Sequence, residues 1–170
     1  MRADLTCGGA SSARDPLQTI SAKATITHLP RTRTWGTNLF TLYYAPHTCA
    51  LATHIALQDA AARYELKRID FGKTEQQSAA YLTVNPKGRV PTMVTPRGIL
   101  TETPAMLAFI AQSFPQARLA PLDDPFAFAE LQAFNSYLCS TLHVAHAHRM
   151  RGYRWVDDAA SFADMLRKLP

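Results

Sequence analysis

The strongest constraint in this sequence is the stretch 39–62, where a short apolar run passes into a helix that opens on a cysteine. Leu39, Phe40, Leu42, Tyr43 and Tyr44 are nearly continuous and bounded by turn residues, the pattern of a strand covered on both faces. Pro46, His47 and Thr48 break the run. Ala50, Leu51, Ala52, Ile55, Ala56 and Leu57 then make a helix that is apolar on more than one side, so it too is expected to be buried. Cys49, at the first turn of that helix, faces unpaired backbone N–H groups and the positive end of the helix dipole, which favour a thiolate. The stretch therefore predicts a covered strand, a covered helix and a reactive sulfur where they join.

The next segments extend this unit. Residues 64–69 alternate before slipping at Arg68 and read as an edge strand, completing a βαβ unit whose strands run parallel. A polar loop leads to a short helix expected near 76–82. In Asn85-Pro86-Lys87-Gly88-Arg89-Val90-Pro91, two prolines around a glycine exclude regular structure. Residues 92–94 and 99–100, separated by Pro96-Arg97-Gly98, predict an antiparallel hairpin. Thr103 before Pro104 reads as an N-cap with proline at the first helical position, opening a helix through Met106 and Ile110 to about Ser113. Together these make an α/β sandwich over 39–113.

Residues 114–123 contain Pro115 and Pro121 and read as a linker. Asp124 then caps a long helix from Pro125, with Leu131, Phe134, Leu138, Leu142 and Ala145 on one apolar stripe and Gly152 ending or bending it. A further helix begins near Asp157 or Asp158, with Phe162, Met165, Leu166 and Leu169 as its apolar positions. Two such stripes cannot cover each other fully, so 124–170 is expected to be part of an all-helical domain that has been cut short.

Charge and cysteine usage exclude several classes. The net charge is +5, but residues 1–38 carry five basic side chains against two acidic ones. That leaves the remainder near balance, so no nucleic-acid surface is indicated, and Arg149, Arg151 and Arg154 read as a solvated helix end. No apolar run approaches the ~20 residues that span a bilayer, so no membrane span is expected. Residues 1–38 lack the apolar core of a secretory signal, and Asp4 and Asp15 weigh against a transit peptide. They are expected to be a disordered extension, or to follow from a start placed upstream of the true one. Three scattered cysteines, Cys7, Cys49 and Cys139, suit a reduced cytoplasmic protein better than a disulfide scaffold.

Taken in order, the Tyr-Tyr-Ala-Pro-x-x-Cys run ending at Cys49, the loop 85–91 and the Thr101-Glu102-Thr103-Pro104 helix start resemble bacterial beta-class glutathione S-transferases over residues 39–170. The resemblance implies a thioredoxin-like domain that holds glutathione, followed by an all-helical domain, truncated here, that shapes a pocket for a small electrophile. It implies a transferase of the detoxifying kind, working as a homodimer with glutathione as co-substrate and no metal. By position, Cys49 matches the active-site cysteine. Val90 and cis-Pro91 match the segment whose backbone pairs with the cysteinyl part of glutathione. Glu102 and Thr103 match the pair that grips the γ-glutamyl end, Lys73 the lysine that reaches the glycine end, and His143 the histidine that approaches the sulfur. The family asparagine before that histidine falls on Ser136, beside Asn135. The alternative is a glutathione-binding remnant or interaction module without turnover.

Each signal also has a plainer reading. Cys49 could be a buried small hydrophobe, Glu102 an exposed strand-end charge and Thr103 an ordinary cap. Positions three away from Cys49 are Pro46 and Ala52, so no local resolving thiol exists. His143 and His146 share a helix face with Cys139 one turn before, but nothing completes a zinc set. His54 is about 140° round the helix from Cys49 and points away from it. Cys139 is expected in the core.

Overall fold

A computed structural model of the protein describes residues 39–169. The extension 1–38 and its Cys7, together with Pro170, lie outside the described residues. The described residues form four strands, β1 (Phe40–Tyr44), β2 (Tyr64–Arg68), β3 (Thr92–Thr95) and β4 (Gly98–Thr101), with helices α1 (Ala50–Asp59), α2 (Ala79–Val84) and α3 (Thr103–Ser113) between and after them. Helices α4 (Pro125–Tyr137), α5 (His143–Arg151) and α6 (Ala159–Lys168) complete the described chain. None of the described helices is long and apolar enough to cross a membrane.

The sheet runs β2-β1-β3-β4, with β1 and β2 parallel and β3 antiparallel to both of its neighbours. Period-two alternation in β1 sorts its side chains. Phe40 and Leu42 lie fully buried against α1 and α3, while Tyr43 on the opposite face meets Tyr81 of α2 with ring centroids 5.5 Å apart. Leu57 of α1, Met93 of β3 and Met106 and Ile110 of α3 complete a core around Phe40. Phe40 also makes edge-on ring contacts with Phe109 at 6.3 Å and Phe114 at 6.1 Å. Each of these large side chains contributes about 1.5–3 kcal/mol by leaving water. This is a thioredoxin-like layer of mixed sheet and helices, as the sequence implied.

Three expectations are corrected. Helix α1 is covered on one face only: Ala50, Thr53, Ala56 and Leu57 are buried, but Leu51 is 60% exposed and Ile55 51%. A run of apolar residues reports helix propensity and burial together, and here Ile55 lines an open groove. Thr103 is not the cap of α3. Glu102 occupies that place, with φ of 69° and no side-chain hydrogen bond to the helix, and Thr103 is the first helical residue.

The long helix, thirdly, is not uniform. Asp124 caps it by accepting from the N–H groups of Phe126 and Ala127, but a π-helical turn, Leu138–Leu142, separates α4 from α5. A π turn takes one more residue per turn and so rotates every later residue about the helix axis. The stripe drawn for a straight helix therefore does not continue on one face past that turn, and Leu142 is 52% exposed; Phe134, ahead of the turn, is itself 58% exposed.

The chain folds back after α5 at Gly152, which is buried. A Cβ there would collide with the side chains of Phe162 and Met165 of α6. Helix α6 starts at Asp158, whose Oδ1 accepts from the Ser161 N–H at 2.8 Å. Hydrogen bonding from Ser161 holds the Asp158 carboxyl below its ordinary range.

Two outcomes are expected. Leu42→Ala should lower unfolding stability by about 2–5 kcal/mol in a denaturant titration, whereas Leu51→Ala on the open face of α1 should change it by less than about 1 kcal/mol. Because the carboxyl of Asp158 is depressed in the folded chain, the cap is present above the unfolded aspartate range and is lost as pH falls through the lower folded value. An NMR acid titration of the Ser161 amide shift should therefore show a midpoint below ~3.9, the ordinary aspartate value. A midpoint at or above that value contradicts the cap.

Candidate functional site

The register of the sheet decides what meets at its edge. Tyr43 of β1 lies opposite Thr92 of β3, and Thr92 lies opposite Thr101 of β4. The three segments that leave the sheet beside this row therefore emerge at one edge: the turn from β1 to Cys49, the loop that enters β3 through Val90 and Pro91, and Glu102 immediately after β4. Tyr44 pairs with Arg68 in the same way, so the loop of β2 that carries Lys73 leaves on the outer flank of that edge.

Cys49 sits at the N-cap of α1, is exposed, and directs its Sγ toward the Val90 carbonyl oxygen at 3.8 Å. The turn ahead of it is tied by Thr48, whose hydroxyl donates to the Ala45 carbonyl at 2.7 Å and accepts from the Ala50 N–H at 3.3 Å. His47 adopts a positive φ of 58° there. His54 points the other way, its Nε2 lying 3.0 Å from the hydroxyl of Tyr64 on β2.

The Val90–Pro91 peptide is cis. Its loop is held from inside by Asn85, which is 1% exposed and donates through Nδ2 to the Arg89 carbonyl and the Thr92 hydroxyl, both at 2.8 Å. Asn85 Oδ1 accepts from the Lys87 N–H at 3.1 Å, and the Tyr81 hydroxyl donates to the same Arg89 carbonyl at 2.6 Å. Burial pushes the Tyr81 phenol above its ordinary value, with the hydrogen bonds to Thr92 and Asn85 opposing it. Gly88 turns the loop at φ of +60°, where a Cβ would also press on Gln77 and the Gln76 carbonyl.

Glu102 shows what this corner accepts. Its Oε1 takes the Lys87 ammonium at 2.7 Å, and the same ammonium donates to the Thr101 hydroxyl at 3.1 Å. Both partners are more than half exposed, so the pair adds little stability. It nonetheless places a carboxylate that holds an amine beside the start of α3. Pro104 has no N–H, so that helix start presents the N–H groups of Thr103 and Ala105 to the same corner. Sequence alone does not assign Lys87 this contact; its place in the loop beside Gly88 was the available signal.

The remaining expected residues are more scattered. Lys73 is largely exposed, with its Nζ 4.0 Å from Asp70, so it joins the outer flank of the edge rather than the Cys49, Val90 and Glu102 group. His143 begins α5 directly after the π turn and is exposed. Cys139, expected in the core, is instead an exposed free thiol within that turn.

Its thiol is pushed above the ordinary cysteine value, first by partial burial and then by the charges of Cys49 and Glu102. Below the edge, α1, α3 and α4 line a groove of about 340 Å³ through Ala52, Ile55, Leu107, Ala108, Leu131 and Asn135.

The internal ties of the loop are open to test. Asn85→Ala should leave buried polar groups of Arg89 and Thr92 short of partners and destabilise the chain by about 1–3 kcal/mol in denaturant unfolding. A cost below about 0.5 kcal/mol contradicts the assigned hydrogen bonds.

Comparison with known proteins places this geometry. Residues 39–112 match the family described as glutathione S-transferase, N-terminal domain. Glutathione S-transferase GstA of Escherichia coli O157:H7 is 33% identical over 105 residues, which cover 60% of this chain and 52% of that protein. The chain thus spans about half the length of the curated relatives it matches. Among solved structures, a glutathione transferase homologue from Sulfitobacter with bound glutathione superposes with a TM-score of 0.71 at 46% identity, covering 78% of this chain and 64% of that one. A bacterial beta-class glutathione S-transferase from Sphingomonas chungbukensis gives 0.59 at 36% identity, covering 65% and 56%. The stretch of this chain that carries Cys49, the Val90–Pro91 loop and Glu102 thus matches the N-terminal domain of glutathione S-transferases in sequence and in fold.

Proposed function

We propose that the protein binds glutathione along the sheet edge and promotes attack of its thiolate on a small soft electrophile, or exchange with a mixed disulfide at Cys49. The observation that carries this reading is the convergence at one edge of an exposed N-cap sulfur, the backbone before Pro91 and a carboxylate already holding an amine at a helix start. These groups match a tripeptide thiol part by part. Glu102 takes the γ-glutamyl ammonium in place of the Lys87 side chain, and the N–H groups at the start of α3, with Thr103, take the adjoining carboxylate. The backbone at Val90 pairs with the cysteinyl residue, leaving its sulfur beside Cys49.

His143 approaches that sulfur from the helical segment and Lys73 reaches the glycine end from the outer flank. A beta-class enzyme, a homodimeric assembly and a helical domain beginning near Asp124 belong to the same reading, supported by the bacterial relatives and the order of the motifs. In conjugation, the new bond is between the glutathione sulfur and the electrophilic carbon, whose leaving group departs with the bonding pair. In exchange, Cys49 attacks a disulfide sulfur and the other thiol leaves.

A binding module without turnover is the second reading, and one feature favours it: the apolar groove between α1, α3 and α4 stands open beside the site, with Leu51 and Ile55 uncovered. Turnover separates the two. The protein should gain thermal stability from glutathione and should conjugate a chloronitrobenzene or reduce a hydroxyethyl disulfide. Cys49→Ala should keep the thermal shift while losing at least about tenfold in disulfide reduction. A thermal shift without either reaction supports the binding module, and unchanged disulfide reduction in Cys49→Ala contradicts the role given to that sulfur.

A further inference from the structure

Lys87 already occupies the seat that the binding reading gives to the ligand. Its ammonium lies 2.7 Å from Glu102 Oε1 and donates to the Thr101 hydroxyl at 3.1 Å. A γ-glutamyl amine would seek the same oxygen, so the loop supplies from within the chain the functional group that the tripeptide brings from outside. The backbone beneath this contact is fixed. The Lys87 N–H donates to Oδ1 of buried Asn85 at 3.1 Å, the Gly88 N–H donates to the Asn85 carbonyl at 2.9 Å, and Gly88 stands at φ of +60°. The side chains above it are not fixed: 52% of Lys87 and 62% of Glu102 are exposed. Lys87 therefore leaves Glu102 by rotation of its flexible stem alone, with no change needed at Val90 or Pro91. Glu102 is held at φ 69° and ψ 118°, a backbone conformation that is costly for a residue with a Cβ and that clusters at ligand clamps.

We propose that Lys87 is an internal competitor for the ammonium seat on Glu102 and so sets how strongly this edge discriminates between ligands with and without an α-amino group. The proposal rests on the reading of Glu102 as the seat of the γ-glutamyl ammonium. In the free protein Lys87 keeps the Glu102 carboxylate compensated. A γ-glutamyl ligand exchanges one ammonium for another, and its affinity is reduced by the fraction of molecules in which Lys87 has left the carboxylate. For an exposed ion pair of this kind that reduction is about two- to sixfold. A ligand of the same shape without the amine leaves Lys87 in place and meets no competition. Lys87 thus narrows the preference for the amine, and its removal widens it.

The two ligand types respond with different signs. With Lys87 gone, an amine-bearing ligand finds Glu102 open and binds more tightly. A ligand that lacks the amine instead meets an uncompensated carboxylate beside its own, so its binding does not improve. A general effect of lowering the positive charge of the protein would weaken both, because both ligands are anions. Opposite responses therefore mark competition for one seat.

The test is calorimetric titration of the full chain with two probes, S-methylglutathione and its glutaryl counterpart, in which hydrogen replaces the γ-glutamyl amine. Neither probe has a free thiol, so no mixed disulfide with Cys49 forms. Lys87→Met keeps most of the stem and removes the charge. It should tighten S-methylglutathione about two- to sixfold and leave the glutaryl probe at or below its affinity for the unsubstituted protein. Lys87→Arg, which keeps a cation against Glu102, should bind S-methylglutathione no more tightly than the unsubstituted protein does. Unchanged or weaker binding of S-methylglutathione by Lys87→Met overturns the competition and leaves the sheet edge standing as a glutathione seat. Equal tightening of both probes also overturns it, since the amine then makes no difference, as does tightening by Lys87→Arg equal to that by Lys87→Met. If S-methylglutathione binds neither the unsubstituted protein nor any variant, the reading of the edge itself fails and the competition fails with it.

Discussion

The pairing of Tyr43 with Thr92 and of Thr92 with Thr101 is the constraint on which the rest of this structure depends. Three segments far apart in sequence carry the sulfur, the proline-bearing loop and the carboxylate. They meet only because the strands that deliver them end in one row. A slip of one residue in β3 would turn Met93 out of the core and move Val90 along the edge at the same time. The buried face of Phe40, Leu42 and Met93 therefore fixes the chemistry as well as the fold: the apolar residues that hold the register are also what keep Cys49 beside Val90.

The site is built on backbone that is tied from behind. Asn85 and Tyr81 direct their polar groups to the Arg89 carbonyl and the Thr92 hydroxyl, and Thr48 ties the turn before Cys49. These are buried or half-buried bonds that hold the loop without occupying the groups facing outward. The outward groups carry weak and exchangeable contacts: a sulfur 3.8 Å from a carbonyl, and a carboxylate paired with an exposed lysine. A rigid frame with replaceable partners at its surface is what ligand capture requires, since little must be broken before a new partner enters.

The α/β layer was legible in the sequence because its signals are local. The apolar run of β1, the punctuation of the 85–91 loop and the two-strand hairpin each announce themselves within a few residues, and their order gives the topology. Helix capping at Asp124 was legible for the same reason. The features that escaped depend on tertiary context. Leu51 and Ile55 read as core because an apolar residue on a helix does not say whether a neighbour covers it. Glu102 rather than Thr103 caps α3 because the sharp turn out of β4 sets a positive φ that residue type alone does not reveal.

The helical segment was the least legible part. The π turn at Leu138–Leu142 inserts a rotation that no periodic stripe can show, and it brings out Cys139, which composition alone would bury. The central claim remains the sheet edge as a seat for a tripeptide thiol, and its most direct measurement is a titration of 15N-labelled protein with glutathione, monitored by amide shifts. The account predicts that the amides of Cys49, Val90, Glu102 and Thr103 move together with one saturation curve while those of α6 stay still. Shifts confined to other residues, or none at all as glutathione is raised, would contradict it.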